Sequence, residues 1–140
     1  MKRLIIGLSV TLLSSCSTDG TTLPILTRVT KIQVVGQHSG SYPFKAKVKW
    51  ITDKNKIAQI LAVVNKQRTG WSSPNLTPMP FTDTAVVFYK GKIEQRVLGV
   101  GSDFFSTFGK KGGLLRNVSV QEKQELLSLI RSPKQPRFAF

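Results

Sequence analysis

The sequence predicts an α+β domain in which a small antiparallel sheet of four to five strands carries two helices on one face. Two observations support this fold class. Strand-like segments occur in consecutive pairs, and each pair is followed by a segment whose apolar residues have helical spacing. The resulting order, β-β-α-β-β-(β)-α, is typical of α+β proteins. A chain of 140 residues suits a single domain of this kind.

The first predicted hairpin covers residues 25–35 and 44–51. The first segment is rich in β-branched residues, which favour strands. In the second, apolar residues alternate strictly with lysines, so they occupy opposite faces. We expect the helices to cover the apolar face, which carries Phe44, Val48 and Trp50.

A first helix should begin after Asp53 and end near Lys66. Aspartate is a favourable N-cap because its carboxylate accepts from free backbone N–H groups. Apolar residues then follow at helical spacing, namely Ile57, Ile60, Leu61 and Val64. Residues 67–81 contain three prolines and predict a long loop.

The second half of the chain predicts another hairpin and a last helix. Residues 82–90 are apolar on both faces, which indicates a central strand, and a turn at Gly91 leads into residues 92–100. Residues 101–113 are expected to form a loop and 114–117 a short strand. Ser119 and Glu122 have the spacing of a capping box, which places the start of the last helix. That helix should end before Pro133.

The amino terminus has the pattern of an export signal. Lys2 and Arg3 precede an apolar run over residues 4–13, and small residues follow. This order is typical of a secretory signal peptide, and the run is too short to span a membrane. The end of the pattern, Leu13-Ser14-Ser15-Cys16, resembles the lipobox of bacterial lipoproteins. The resemblance implies that the leader is removed and that the cysteine sulfur of Cys16 carries a diacylglycerol.

This resemblance divides the chain into four parts. Residues 1–15 are the cleaved signal peptide, 16–24 a lipidated tether, 25–132 a single globular domain and 133–140 a basic tail. Ser17 stands where many lipoproteins retained at the inner membrane have aspartate. The resemblance therefore implies a protein anchored in the cell envelope by its acyl chains (palmitate among them), at the outer membrane facing the periplasm in a Gram-negative cell.

The charge is strongly positive. The full chain has a formal net charge of +14, which falls to +12 without residues 1–15 because Lys2 and Arg3 are lost. Such a field speeds encounters with anionic partners and carries no information about fold. Because Cys16 is the single cysteine, no internal disulfide can stabilise the domain.

The sequence offers little for catalysis, so we do not expect an enzyme. His38, the single histidine, lies in a Gly/Ser-rich turn, and one histidine without cysteines does not form a zinc site. No phosphate-binding loop is present, and no cofactor is expected. A hydrolase that uses Asp83, Glu94 or Asp103 is the least favoured function.

Binding is better supported. The lysine row Lys45, Lys47 and Lys49 would form a line of ammonium groups, although lysines also protect edge strands from aggregation. Trp71 and Phe108 place aromatic rings in long loops, where they either bind a partner or close the core. Lys110 and Lys111 add charge beside Phe108.

These observations lead to one expected function and one alternative. We expect a lipid-anchored basic domain that binds an acidic envelope protein, as an accessory subunit of an envelope complex or as an inhibitor or immunity protein. The alternative partner is an anionic envelope polymer such as peptidoglycan or lipopolysaccharide. Nucleic acid is not expected, because no nucleic-acid-binding signature is present.

Overall fold

The computed structural model describes residues 20–37, 46–73, 82–109 and 112–131. Six strands form one antiparallel sheet in the order β2-β1-β3-β4-β5-β6, and two helices complete the domain. The predicted α+β class is confirmed, with one strand more than expected. The elements are β1 (Lys31–Gln37), β2 (Ala46–Ile51), α1 (Lys54–Lys66), β3 (Thr84–Lys90), β4 (Ile93–Val100), β5 (Phe104–Gly109), β6 (Gly112–Asn117) and α2 (Val120–Ile130).

The additional strand is β5, in a segment expected to be a loop. It pairs with β6 in a continuous register from Phe104 opposite Asn117 to Gly109 opposite Gly112. Phe105 is fully buried in the core, which explains why this segment is held in the sheet. The flanking glycines favoured the prediction of a loop. The strand is nevertheless stable because it pairs with β6, and local composition does not reveal that pairing.

The segment before β1 is extended but lies outside the sheet ladder. The backbone N–H of Leu23 donates to the carbonyl of Arg68 (2.8 Å), and the side chain of Asn65 both accepts from and donates to the backbone of Leu26 (3.0 and 3.1 Å). Arg28 has a φ of +57°, a left-handed conformation that interrupts a strand. The first strand therefore begins at Lys31 rather than near residue 25.

Both predicted helix starts are confirmed. The Asp53 carboxylate accepts from the N–H groups of Asn55 and Lys56 (2.8 and 3.3 Å), and Ser119 and Glu122 form the complete capping box. The Glu122 carboxylate also pairs with Arg116 (2.8 Å), and that hydrogen bond lowers the pKa of Glu122 below its usual value. Of the helices in the described ranges, none has the length and hydropathy needed to cross a membrane.

The two helices cover one face of the sheet, which we call the inner face. Residues paired across antiparallel strands share a face. The register therefore places Ile32, Val86, Phe88, Leu98, Val100 and Phe105 together on the inner face, where all six are buried. Helix α1 adds Ile57, Ile60, Val63 and Val64 to this core, and α2 adds Leu126, Leu127 and Ile130. We call the opposite face of the sheet the outer face.

The orientation predicted for β2 is wrong. Ile51 pairs with Ile32 and Lys49 pairs with Val34, so Lys47, Lys49 and Ile51 share the inner face. Val48 and Trp50 consequently lie on the outer face and are 51% and 47% exposed. Phe44, which was expected beside them, lies outside the described residues. The alternation was correctly identified, but the side that meets the helices was reversed.

Candidate binding surfaces

The lysine row does not form one uniform ligand track. The Lys49 ammonium donates to the carbonyl of Ile130 at the last turn of α2 (3.0 Å), where cations favour the helix dipole. Burial and repulsion from Lys56 lower the pKa of Lys49. Lys47 is exposed, whereas Lys45 lies outside the described residues. Strand β2 is an edge strand, so the row is also placed where lysines discourage edge pairing.

The two aromatic residues predicted to lie in loops, Trp71 and Phe108, are in opposite environments. Trp71 is 2% exposed, and its indole Nε1 donates to the carbonyl of Gln67 (2.7 Å). Its ring therefore closes the core, and the expectation that Trp71 offers a binding surface is corrected. Phe108 is 73% exposed and remains a candidate binding residue. Lys110 and Lys111, which were expected to act with Phe108, lie outside the described residues.

A surface that the sequence analysis missed lies on the outer face of β1, β2 and β3. We call it the Trp50 patch; it consists of Lys31, Val48, Trp50 and Tyr89. The rings of Trp50 and Tyr89 have centroids 5.7 Å apart at an angle of 43°. The Lys31 ammonium lies 5.0 Å from the Trp50 ring and 5.3 Å from the Tyr89 ring, within cation–π distance of both.

The register explains how this patch is assembled. Lys31 pairs directly with Tyr89 across β1 and β3, and Trp50 pairs with Gln33 on the adjacent strand. The Tyr89 hydroxyl donates to the Gln33 side-chain oxygen (3.2 Å), which fixes the phenol ring. The patch is therefore a preorganised set of aromatic and aliphatic side chains around the ammonium group of Lys31. The sequence did contain one signal for the true orientation of β2. Ile51 lies on the same face of the strand as the lysines, and an isoleucine is well suited to the core.

A cleft lies between the extended segment Thr21–Thr27 and strands β4 to β6. Its volume is about 670 Å³, within the usual range for small-molecule sites. The lining is largely apolar and includes Ile25, Phe108 and Leu114, together with the side chain of Arg96. Ile25 is 53% exposed, so the cleft is bordered by two exposed apolar side chains.

Two of the acidic residues considered for catalysis, Asp83 and Glu94, lie far apart. Glu94 is opposite Tyr89 near the β3–β4 turn, whereas the Asp83 N–H donates to the carbonyl of Val100 at the other end of this hairpin. Six residues of strand separate the two positions, or about 20 Å. Within the described ranges, no three His, Cys, Asp or Glu side chains are grouped so that they could hold a metal ion.

Most of the positive charge is not neutralised within the domain. In the described part of the chain, two ion pairs are present, Lys66 with Glu125 (3.3 Å) and Arg116 with Glu122 (2.8 Å).

Comparison with known protein families, curated proteins and solved structures found no match to this chain. Functional inference therefore depends on the chemistry of these surfaces.

Proposed function

We propose that this chain is a lipid-anchored protein of the cell envelope whose basic domain binds an acidic protein. The lipobox-like sequence ending at Cys16 supports the anchor, and the net positive charge supports an acidic partner. In a cell with two membranes the domain would face the periplasm from the outer membrane. Binding of this kind suits an accessory subunit of an envelope complex or an inhibitor such as an immunity protein.

The Trp50 patch is the observation that carries the choice of a protein partner. Tryptophan and tyrosine dominate the centres of protein interfaces, where they bury large areas at low cost in side-chain entropy. Trp50 is 47% exposed while Tyr89 and Lys31 already hold its ring. An acidic side chain of the partner could approach Lys31 while apolar groups cover Val48 and Trp50.

The alternative of an anionic polymer has less support. A polymer would require a line of accessible ammonium groups along β2. The ammonium of Lys49, at one end of the predicted row, instead donates to the carbonyl of Ile130 at the end of α2, so it is less available to a polymer. A surface built from rings and a valine is better suited to a folded partner.

Lipid attachment is expected to occur at Cys16. The purified native protein should lack residues 1–15 and carry the added mass of diacylglycerol and an amide-linked acyl chain, because two or more chains are needed for stable anchoring. Intact-mass spectrometry and metabolic labelling with palmitate measure this directly. Cys16→Ser should abolish labelling, whereas Ser15→Ala is the matched control. A native protein with residues 1–15 and an unmodified thiol would contradict the anchor.

Replacing Trp50 with alanine is expected to weaken partner binding by about 2 kcal/mol, or roughly thirtyfold in Kd, as for residues at an interface centre. A photoreactive phenylalanine analogue in place of Val48 should first crosslink the partner in intact cells. The Kd of the purified partner is then measured for the native protein and for Trp50→Ala. We expect the partner to have an acidic isoelectric point.

Val120 provides the matched control. It is 78% exposed and lies at the start of α2, away from the outer face of the sheet. The same analogue at Val120 should give no crosslink to this partner, and Val120→Ala should leave its Kd unchanged. Equal crosslinking at both positions would contradict the Trp50 patch. Sedimentation with peptidoglycan that weakens steeply with salt and is independent of Trp50 would favour the polymer.

A further inference from the structure

Arg96 lines the cleft and Arg68 lies close to it, and the described residues provide no carboxylate that pairs with either cation. The Arg96 guanidinium donates to the carbonyl of Pro24 (2.6 Å), and Arg68 donates through Nε to the carbonyl of Leu23 (2.7 Å). Neither arginine belongs to the ion pairs of the described ranges. Burial lowers the pKa of Arg96, and repulsion by the nearby Arg68 lowers it further.

This arrangement leaves donors available for an anion. A guanidinium carries five N–H donors in a planar fork that matches a carboxylate. In the described part of the chain, Arg96 uses this fork for the single carbonyl of Pro24. Because the two half-buried cations repel each other, an anionic group bound beside them would be electrostatically favourable.

The rest of the cleft is suited to the apolar part of a ligand. Ile25 and Phe108 are exposed large apolar side chains in the lining of the cleft, and Leu114 extends the apolar lining. A volume of about 670 Å³ suits one acyl chain better than a lipid with two chains and a large head group. Covering Ile25 and Phe108 would remove apolar surface from water and so favour binding.

We propose that the cleft binds a long-chain fatty acid, with the acyl chain along Ile25, Phe108 and Leu114 and the carboxylate beside Arg96 and Arg68. This site is separate from the Trp50 patch, which lies on the outer face of β1 to β3. The inference goes beyond the proposed function and does not depend on the identity of the protein partner.

Photolabelling of the intact protein in phosphatidylcholine nanodiscs tests this site. A diazirine analogue of palmitate is added and crosslinked, and labelled peptides are mapped by mass spectrometry. We expect labelling at peptides that contain Ile25, Phe108 or Leu114. Palmitate should compete with the label, whereas methyl palmitate, which has the same chain without the charge, should compete at least tenfold less well.

Two variants test the separate parts of the site. Arg96→Gln should reduce labelling at least fivefold, and Lys92→Gln, which removes an exposed cation from the same hairpin, should leave it unchanged. Phe108→Ser should also reduce labelling; because Phe108 is 73% exposed, this variant should fold even if Arg96→Gln does not. Trp50→Ala should not affect labelling, which separates this result from that of the partner experiment.

Three results would overturn the proposal. Equal competition by palmitate and methyl palmitate would remove the role of the carboxylate. Labelling spread over many peptides, and unchanged in both variants, would indicate partition into the nanodisc. In a separate disc that also contains a diazirine analogue of phosphatidylglycerol, labelling of the cleft that palmitate does not displace would identify a membrane phospholipid as the ligand instead.

Discussion

Trp71→Ala is expected to lower the free energy of unfolding by about 3–5 kcal/mol, the usual cost of removing a buried aromatic side chain. The Trp71 ring is 2% exposed, and its indole N–H donates to the carbonyl of Gln67. The backbone of Trp71 also accepts from the N–H of Thr21, and Ser72 pairs with Leu115. A cavity here would loosen the contacts between the extended amino-terminal segment, the end of α1 and β6. Urea unfolding followed by circular dichroism measures the change.

Trp50→Ala is the matched control, because the chain has two tryptophans in opposite environments. Trp50 is 47% exposed, so its truncation should cost at most about 1 kcal/mol. In Trp50→Phe, the emission of the remaining Trp71 should be blue-shifted and resistant to acrylamide. In Trp71→Phe, which also serves if Trp71→Ala fails to fold, the emission of Trp50 should be readily quenched. The reverse order of stability losses would contradict the assigned positions of both rings.

Gly101→Ala is expected to destabilise the domain by about 1–3 kcal/mol, as overpacking of a filled site usually does. An added Cβ would overlap the ring of Phe104, which is 9% exposed. The Gly101 N–H donates to the carbonyl of Phe104 (2.9 Å), so the short connection between β4 and β5 restricts how far the ring can move away. Thermal unfolding of the variant measures the loss.

Gly36→Ala is the control for this substitution. No atom lies within 4 Å of a Cβ added at Gly36, so this variant should be neutral or slightly more stable than the native protein. Combining Gly101→Ala with Phe104→Leu should cost less than the sum of the two single changes, because the smaller side chain relieves the overlap. Strict additivity, or equal losses from both glycine variants, would show that the ring of Phe104 does not restrict Gly101.

Local signals were sufficient to predict the elements that are stabilised locally. The caps at Asp53 and Ser119 depend on residues within one helical turn, and the structure confirms both. Strand β5 was missed because its stability depends on pairing with β6 and on burial of Phe105 in a core assembled from distant segments. Composition within a short window does not include those partners.

The candidate surfaces were harder to predict for a related reason. Alternation along β2 indicates which residues share a face, but not which face meets the helices. Because β2 is an edge strand, Lys49 can reach the end of α2 along the margin of the inner face. Trp50 was therefore assigned to the core, and the Trp50 patch requires register information from Lys31 and Tyr89. The cleft likewise depends on contacts of residues 21–27 that no local pattern specifies.

The extended segment before β1 has a consequence for how the protein folds during synthesis or export. Leu26 contacts Asn65, 39 residues later, and Pro24 accepts from Arg96, 72 residues later. A chain that emerges amino terminus first must wait for these distant partners, and non-local contacts of this kind slow folding. Leu23 and Leu26 would remain unprotected while most of the polypeptide is still being delivered, so early emergence is the period in which a chaperone would be most valuable.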